Sequence, residues 1–173
     1  MKESLELVEL TEDLYASFCE LADDFMAERD DRYAKNATPG AFASLLAKYE
    51  RCKQWSTVPD GLVPSFYYYL RRSDGKLLGG IRFRPELNEG LLIEGGNIGY
   101  DVGPSYRCNG MATLMLQMVL DRAREHGLDR VLITCFDDNT ASERVIRKCG
   151  GVLESTEPSP RNGKMTRRYW IGL

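Results

Sequence analysis

Between Ile98 and Phe136 the chain changes its hydrophobic period twice, and this limits the available folds more than any other feature. Ile98, Tyr100 and Val102 alternate with Gly99 and Asp101, the two-residue period of a strand with two different faces. The loop Gly103-Pro104-Ser105-Tyr106-Arg107-Cys108-Asn109-Gly110 follows. A helix is predicted from about Gly110 to His126, stopped by Gly127. Ala112, Met115, Leu116, Val119, Leu120 and Ala123 form its apolar stripe, and Thr113, Gln117, Asp121 and Arg124 its polar one. Val131-Leu132-Ile133-Thr134-Cys135-Phe136 is almost unbroken apolar sequence, the mark of a buried strand paired in parallel. Strand, helix and strand read as one β-α-β unit.

The flanking sequence supplies antiparallel strands and two helices. A short strand is expected around Leu5–Leu10, then a helix from Thr11, with Glu12 and Asp13 in its first turn and Leu14, Phe18, Leu21 and Phe25 on one face. A second helix opens near Thr38-Pro39 and carries Phe42, Leu45, Leu46 and Tyr49. Glu28–Asn36 between them reads as a solvated connection. Ser65–Arg71 and Leu77–Phe83 form a hairpin around Ser73-Asp74-Gly75-Lys76, and the aromatic row Phe66–Tyr69 reads as ordinary strand core and surface. A further strand is expected from about Leu91 to Val102, with a bulge at Gly95-Gly96. After a short helix over about Ala141–Lys148, Val152–Ser155 and Met165–Leu173 make a terminal hairpin. The fold class is α+β with a mixed, mostly antiparallel sheet, and the 173 residues suit one domain over 1–173.

Composition removes several functions. With 43% hydrophobic and 28% charged residues the chain is neither disordered nor fibrous. Its net charge of -3 and pI near 5.3 argue against nucleic acid as a partner. Five scattered cysteines without a Cys-x-x-Cys pair, and a single histidine, His126, leave no zinc site and no serine–histidine triad. Reduced thiols, no signal peptide over Met1–Glu6 and no run of 18 apolar residues point to a cytoplasmic protein with no membrane partner. A homodimer stays open.

A glycine loop between a buried strand and a helix start presents free backbone N–H groups at the positive end of the helix dipole, an anion site suited to pyrophosphate. Gly110 is followed by Met111-Ala112 rather than Lys-Ser/Thr, so it is no Walker loop, and one glycine is too few for a dinucleotide fingerprint. The run Tyr100–Thr113 instead resembles motif A of the GNAT family of N-acetyltransferases, Gln/Arg-x-x-Gly-x-Gly/Ala preceded by Val-x-Pro. Arg107, Gly110, Ala112, Val102 and Pro104 match in register, and Asn139, Ser142 and Gly150 match motif B.

The resemblance implies a GNAT-like twisted sheet with helices on both faces and a CoA-binding β-α-β unit. It implies acetyl transfer from acetyl-CoA to a primary amine by direct attack in a ternary complex, without a metal. Backbone amides of Arg107, Cys108, Asn109, Gly110, Met111 and Ala112 would cradle the pyrophosphate, with the Thr113 hydroxyl as a further donor. Val102 would pair with the pantetheine arm, the Tyr100 N–H would polarise the thioester carbonyl, and Asn139 and Ser142 would meet the same arm. Strands 91–102 and 131–136 would diverge to admit it.

One position departs from the family. The tyrosine that protonates the leaving thiolate in many members falls here on Ile146. Ser142 is the nearest hydroxyl, with a helix-capping role as its alternative; Tyr106, Tyr100 and water are the other donors. For the general base, the glutamate of one family branch falls on Gly96, which leaves Glu94 two residues back, then Asp101 or water. The expected catalytic set is Glu94, Tyr100 and Ser142. A Cys108 nucleophile lacks a histidine to activate it, and His126 reads as a helix cap. The alternative function is a non-catalytic CoA- or acyl-CoA-binding module of the same fold.

Overall fold

The computed structural model describes residues 4–173. Residues 1–3 lie outside it, and with them part of the N-terminal stretch read as lacking a signal peptide and of the domain expected over 1–173. Strand β1 (Leu5–Val8) precedes helices α1 (Tyr15–Ala27) and α2 (Pro39–Arg51) and the hairpin β2 (Phe66–Arg72) and β3 (Leu77–Phe83). A one-turn helix α3 (Glu89–Ile93) leads to β4 (Ile98–Val102), α4 (Met111–Glu125), β5 (Arg130–Phe136) and α5 (Thr140–Lys148). The hairpin β6 (Val152–Pro158) and β7 (Met165–Gly172) ends the chain. The strands form two antiparallel sheets in the orders β1-β2-β3-β4 and β5-β7-β6.

Two apolar cores hold helices to opposite sides of the strands. The apolar stripe of α4 buries Met115, Leu116, Val119 and Leu120 against Leu70, Phe83, Ile98, Ile133 and Tyr169. On the other side α1 and α2 bury Phe18, Leu21, Phe25, Phe42 and Leu45 against Tyr69 and Leu77. Each such large side chain contributes about 1.5–3 kcal/mol on burial, so the shared sheet between two helix layers is the main source of cohesion. Helix α2 opens at Thr38-Pro39 as expected, with the Thr38 hydroxyl accepting the Ala41 N–H as its cap. Thr11 opens only a single 3-10 turn, and α1 begins at Tyr15.

Four expectations need correction. Leu91–Ile93 are helical rather than extended, because the Asn88 side chain accepts the Leu91 N–H and starts a turn. Gly95 and Gly96, at φ 112° and 61°, then redirect the backbone, so the strand runs only from Ile98 and Glu94 stands outside it. Second, β5 has no parallel ladder; it pairs antiparallel with β7. It is tied to the residues just before β4, where the Asn97 N–H donates to the Leu132 carbonyl (2.7 Å), the Leu132 N–H donates to Asn97 Oδ1 (2.7 Å) and the Gly95 N–H donates to Thr134 Oγ1 (2.8 Å). Third, Thr113 lies on a buried flank of α4, with α5 packed beside it and its carbonyl accepting from the Cys149 thiol. Fourth, the connection 28–36 is only partly solvated, since Tyr33 is buried against Phe18, Phe25 and Tyr69. His126 caps the end of α4 as expected and packs its ring against Phe66 and Phe83. Among the described residues no helix is long and apolar enough to cross a membrane.

Candidate active site

The site begins with two backbone edges. In an antiparallel ladder, alternate residues direct their N–H and C=O groups to the partner strand. The Gly103 N–H donates to the Leu78 carbonyl, so with the register Gly79 to Val102, Asp101 and Gly99 turn their backbones toward β3. Tyr100 and Val102 turn theirs the other way, toward β5. On β5 the Leu173 N–H donates to the Asp129 carbonyl, so the same count leaves Thr134 and Phe136 facing β4. Past the Asn97–Leu132 junction a cavity of about 250 Å³ separates the strands, lined by Ile98, Gly99 and Tyr100 and by Ile133, Thr134, Cys135 and Phe136. A slender ligand with amide groups can therefore pair along Tyr100 and Val102 as an extra strand would. The Val102 carbonyl already accepts from Arg107 Nε (3.2 Å), which leaves its N–H for that pairing.

A larger cavity of about 640 Å³ adjoins the first and shares Tyr100, Asn139 and Ser142 with it. Arg107, Cys108, Gly110, Met111, Ala112 and Thr113 line it. The N-cap of α4 is Gly110, in the left-handed region at φ 79°, and it offers no side chain to the helix. The first N–H groups of the helix, Met111 to Thr113, thus lack intrahelical acceptors and face the cavity. Cys108 is also left-handed (φ 62°), and such turns point successive N–H groups into one concave anion site. Asn109 supports the loop by donating from its side chain to the Arg107 carbonyl. Asp24 on α1 accepts from the Ser105 N–H and hydroxyl, and Glu28 accepts from Arg107, so the loop is clamped from outside. Arg32, Arg107 and Arg144 bring positive charge to the walls. These features fit the pyrophosphate and pantetheine portions of CoA.

Where the two cavities meet, the Tyr100 hydroxyl and Ser142 Oγ lie 2.9 Å apart. Burial pushes the Tyr100 phenol up to about 12, against a smaller opposing effect of the Ser142 hydrogen bond. Ser142 is not the cap of α5. That role belongs to Asn139, whose Oδ1 accepts the Ser142 N–H at 3.0 Å. The Ser142 hydroxyl is thereby left to Tyr100 and the cavity. Ile146 is completely buried in the core, so its side chain does not take part in the site. Cys135 lines the smaller cavity, and burial pushes its thiol up, keeping it neutral.

Glu94 reaches the smaller cavity although its backbone precedes the strand. Its carboxylate accepts from Ser159 Oγ (2.5 Å), and Arg161 lies 3.9 Å away. Asp101 points to the opposite side of β4 from Tyr100, as its parity requires. It accepts from the Tyr33 hydroxyl (2.8 Å) and faces Arg32 (3.5 Å), and burial raises its pKa. Arg32, Asn97, Arg144 and Ser159 are site residues the sequence did not single out, and Tyr33 supports Asp101 from behind β4. Arg32 and Tyr33 lay in the stretch read as solvated, and a tyrosine amid charges was the available signal. Among the described residues no group of three or more histidine, cysteine or acidic side chains is placed to hold a metal ion.

A strand edge opened beside an uncapped helix N-terminus, on this α+β scaffold, defines the acetyltransferase class. The chain belongs to the GNAT family: the acetyltransferase (GNAT) domain model matches residues 4–152. No curated protein matches it. Among solved structures it is similar to the microcin C7 self-immunity acetyltransferase MccE in complex with acetyl-CoA and AMP (15% identity, TM-score 0.72, 98% of this chain and 92% of that one). It is also similar to a chimera of the spermidine N-acetyltransferase SpeG from Vibrio cholerae (15%, 0.67, 97% and 95%). A third is an acetyl transferase from Salmonella typhimurium that modifies the N-terminal serine of a 50S ribosomal subunit protein (18%, 0.69, 98% and 95%). At these identities the likeness establishes the fold.

Proposed function

We propose that this chain is an N-acetyltransferase that moves an acetyl group from acetyl-CoA to a primary amine of a small molecule or protein, by direct attack in a ternary complex. The observation that carries the proposal is the uncapped start of α4 opening onto a cavity that continues between β4 and β5. Bound acetyl-CoA supplies an activated acyl carbon and a thiolate leaving group. The amides of 108–112 hold its pyrophosphate, with the Thr113 hydroxyl beside them, and Val102 holds the arm; the Arg107 N–H, expected in the same cradle, donates instead to the Pro104 carbonyl (3.3 Å). The Tyr100 N–H donates to the carbonyl oxygen as negative charge grows there. The MccE complex with acetyl-CoA supports this assignment.

The acceptor must lose a proton before it attacks. An amine with a pKa near 10.4 is nucleophilic in only about one molecule in a few thousand at pH 7. Glu94 removes that proton, directly or through a water, from the side of the smaller cavity. The Tyr100–Ser142 hydroxyl pair meets the departing sulfur. With Tyr100 near 12, full transfer of its proton to a thiolate of ordinary basicity (about 8.5) is uphill by about 5 kcal/mol. The pair therefore stabilises the thiolate by hydrogen bonding. The nitrogen sheds two protons in all: the first leaves through Glu94 to solvent before attack, and the second, lost as the C–N bond forms and the C–S bond breaks, ends on the thiolate. With Ile146 in the core, these two hydroxyls stand in for the usual tyrosine. Thiol release from acetyl-CoA is the test, across aminoglycosides, polyamines, amino acids and peptides. Release that depends on at least one amine class is expected. CoA binding without release for any class would make the chain a binding module.

A further inference from the structure

The buried hydroxyl of Ser159, in the turn between β6 and β7, has one proton to give, and it goes to Glu94. Ser159 is 3% exposed although the loop around it faces solvent. Its backbone is held on both sides: its N–H donates to the Lys164 carbonyl (2.7 Å) and its carbonyl accepts from the Gly163 N–H (2.8 Å). The Arg161 N–H donates to Ser159 Oγ (3.2 Å) and so takes up acceptor capacity on that oxygen. The hydroxyl proton is left for Glu94 Oε2, at 2.5 Å. Among the described residues Ser159 is the one hydrogen-bond donor to that carboxylate.

Glu94 needs such a partner. Its backbone sits between the end of α3 and two left-handed glycines, outside any ladder, and its side chain has three rotatable bonds. The competing partner is the Arg161 guanidinium, 3.9 Å from Oε1 on a side chain 71% exposed, which draws the carboxylate toward solvent. We infer that Ser159 is a positioning residue: it holds the Glu94 carboxylate at the cavity wall, against Arg161, and makes the β6–β7 loop part of the proton-accepting machinery. This rests on the reading of Glu94 as the proton acceptor.

The test is a cycle of four proteins, wild type, Ser159→Ala, Glu94→Gln and the double variant, at pH 7 with saturating acetyl-CoA and the most active screened amine. Ser159→Ala is expected to lower kcat by about fivefold or more, because small displacements of a proton-transfer group are costly, and to leave the KM for acetyl-CoA unchanged. In the Glu94→Gln background the same substitution is expected to change kcat by less than about twofold, since the group it acts through is gone. Asn162→Ala removes the side chain that accepts the Lys164 N–H in the same loop without touching Glu94, and it is expected to keep wild-type kcat. Wild-type kcat in Ser159→Ala, beside a loss of about tenfold in Glu94→Gln, overturns the positioning role alone. So does an equal loss from Ser159→Ala in both backgrounds, or a matching loss in Asn162→Ala. Full kcat in Glu94→Gln overturns the reading of Glu94, and the role of Ser159 falls with it.

Discussion

Ala112→Glu separates ligand binding from folding because its two effects have opposite signs. Ala112 is the second residue of α4 and lines the larger cavity beside the N–H groups of Met111 and Thr113. The first turn of α4 holds no acidic residue, so a carboxylate there complements the helix dipole and adds about 0.3–1 kcal/mol to stability. The same carboxylate opposes the pyrophosphate. Two like charges about 5 Å apart at an effective dielectric constant of about 20 repel by about 3 kcal/mol. Water in the open cavity reduces this, and about 1.4 kcal/mol is a conservative floor, so CoA affinity is expected to fall between tenfold and about a hundredfold. Calorimetric titration with CoA, paired with thermal unfolding of the free protein, reads both quantities. Weaker binding with an unchanged or raised Tm is expected, and the deficit should narrow as salt is added. A folded variant with wild-type CoA affinity would refute the assignment of this loop.

Ser142→Ala is expected to lower kcat by about tenfold to a hundredfold with little change in acetyl-CoA KM, as for one lost hydrogen bond to the charged thiolate, and to leave Tm unchanged because Asn139 holds the cap. Asn139→Ala, by contrast, should cost about 1 kcal/mol in urea unfolding. Asp101 has a folded pKa raised by burial, so its contribution to stability is complete below the unfolded value, about 4, and declines as pH rises through the folded one. Asp101→Asn should therefore gain stability relative to wild type as pH rises from 4 toward 7, read as the difference in Tm. Gly96→Ala places a Cβ 2.2 Å from the Leu132 carbonyl at a φ of 61°, and should cost about 3 kcal/mol by denaturant titration through strain and the lost β4–β5 junction.

The β-α-β unit was legible because each element announces its period locally, and the pyrophosphate loop because its function resides in backbone groups fixed by Gly110 and the α4 dipole. The same holds for the hairpin of β2 and β3 around Gly75. The limits of β4 were not, since Leu91–Ile93 suit strand and helix alike, and the Asn88 cap on the Leu91 N–H, with the turn bonds from Leu92 to Asn88 and Glu94 to Gly90, decides between them. The apolar run of β5 indicated burial on both faces but not the strand it pairs with, because burial and pairing direction are separate properties. Side-chain partners across long separations were least legible. Tyr33 with Asp101 and Ser159 with Glu94 are 68 and 65 residues apart, and only the folded packing brings them together. Ser142 illustrates the intermediate case: its placement at the start of α5 was readable, but whether it capped the helix depended on where the first turn begins, and Asn139 begins it by accepting the Ser142 N–H.

Direct transfer through a ternary complex is tested most plainly by a single-turnover experiment with carbon-labelled acetyl-CoA and excess protein. Intact-mass spectra are taken before and after addition of an amine that the thiol-release screen selects. The expected result is no acetyl on the protein beforehand, then free thiol and N-acetylated amine in equal amounts. Acetylated protein formed without the amine, Cys108 being its exposed thiol, or bound acetyl-CoA that no amine consumes, would contradict it.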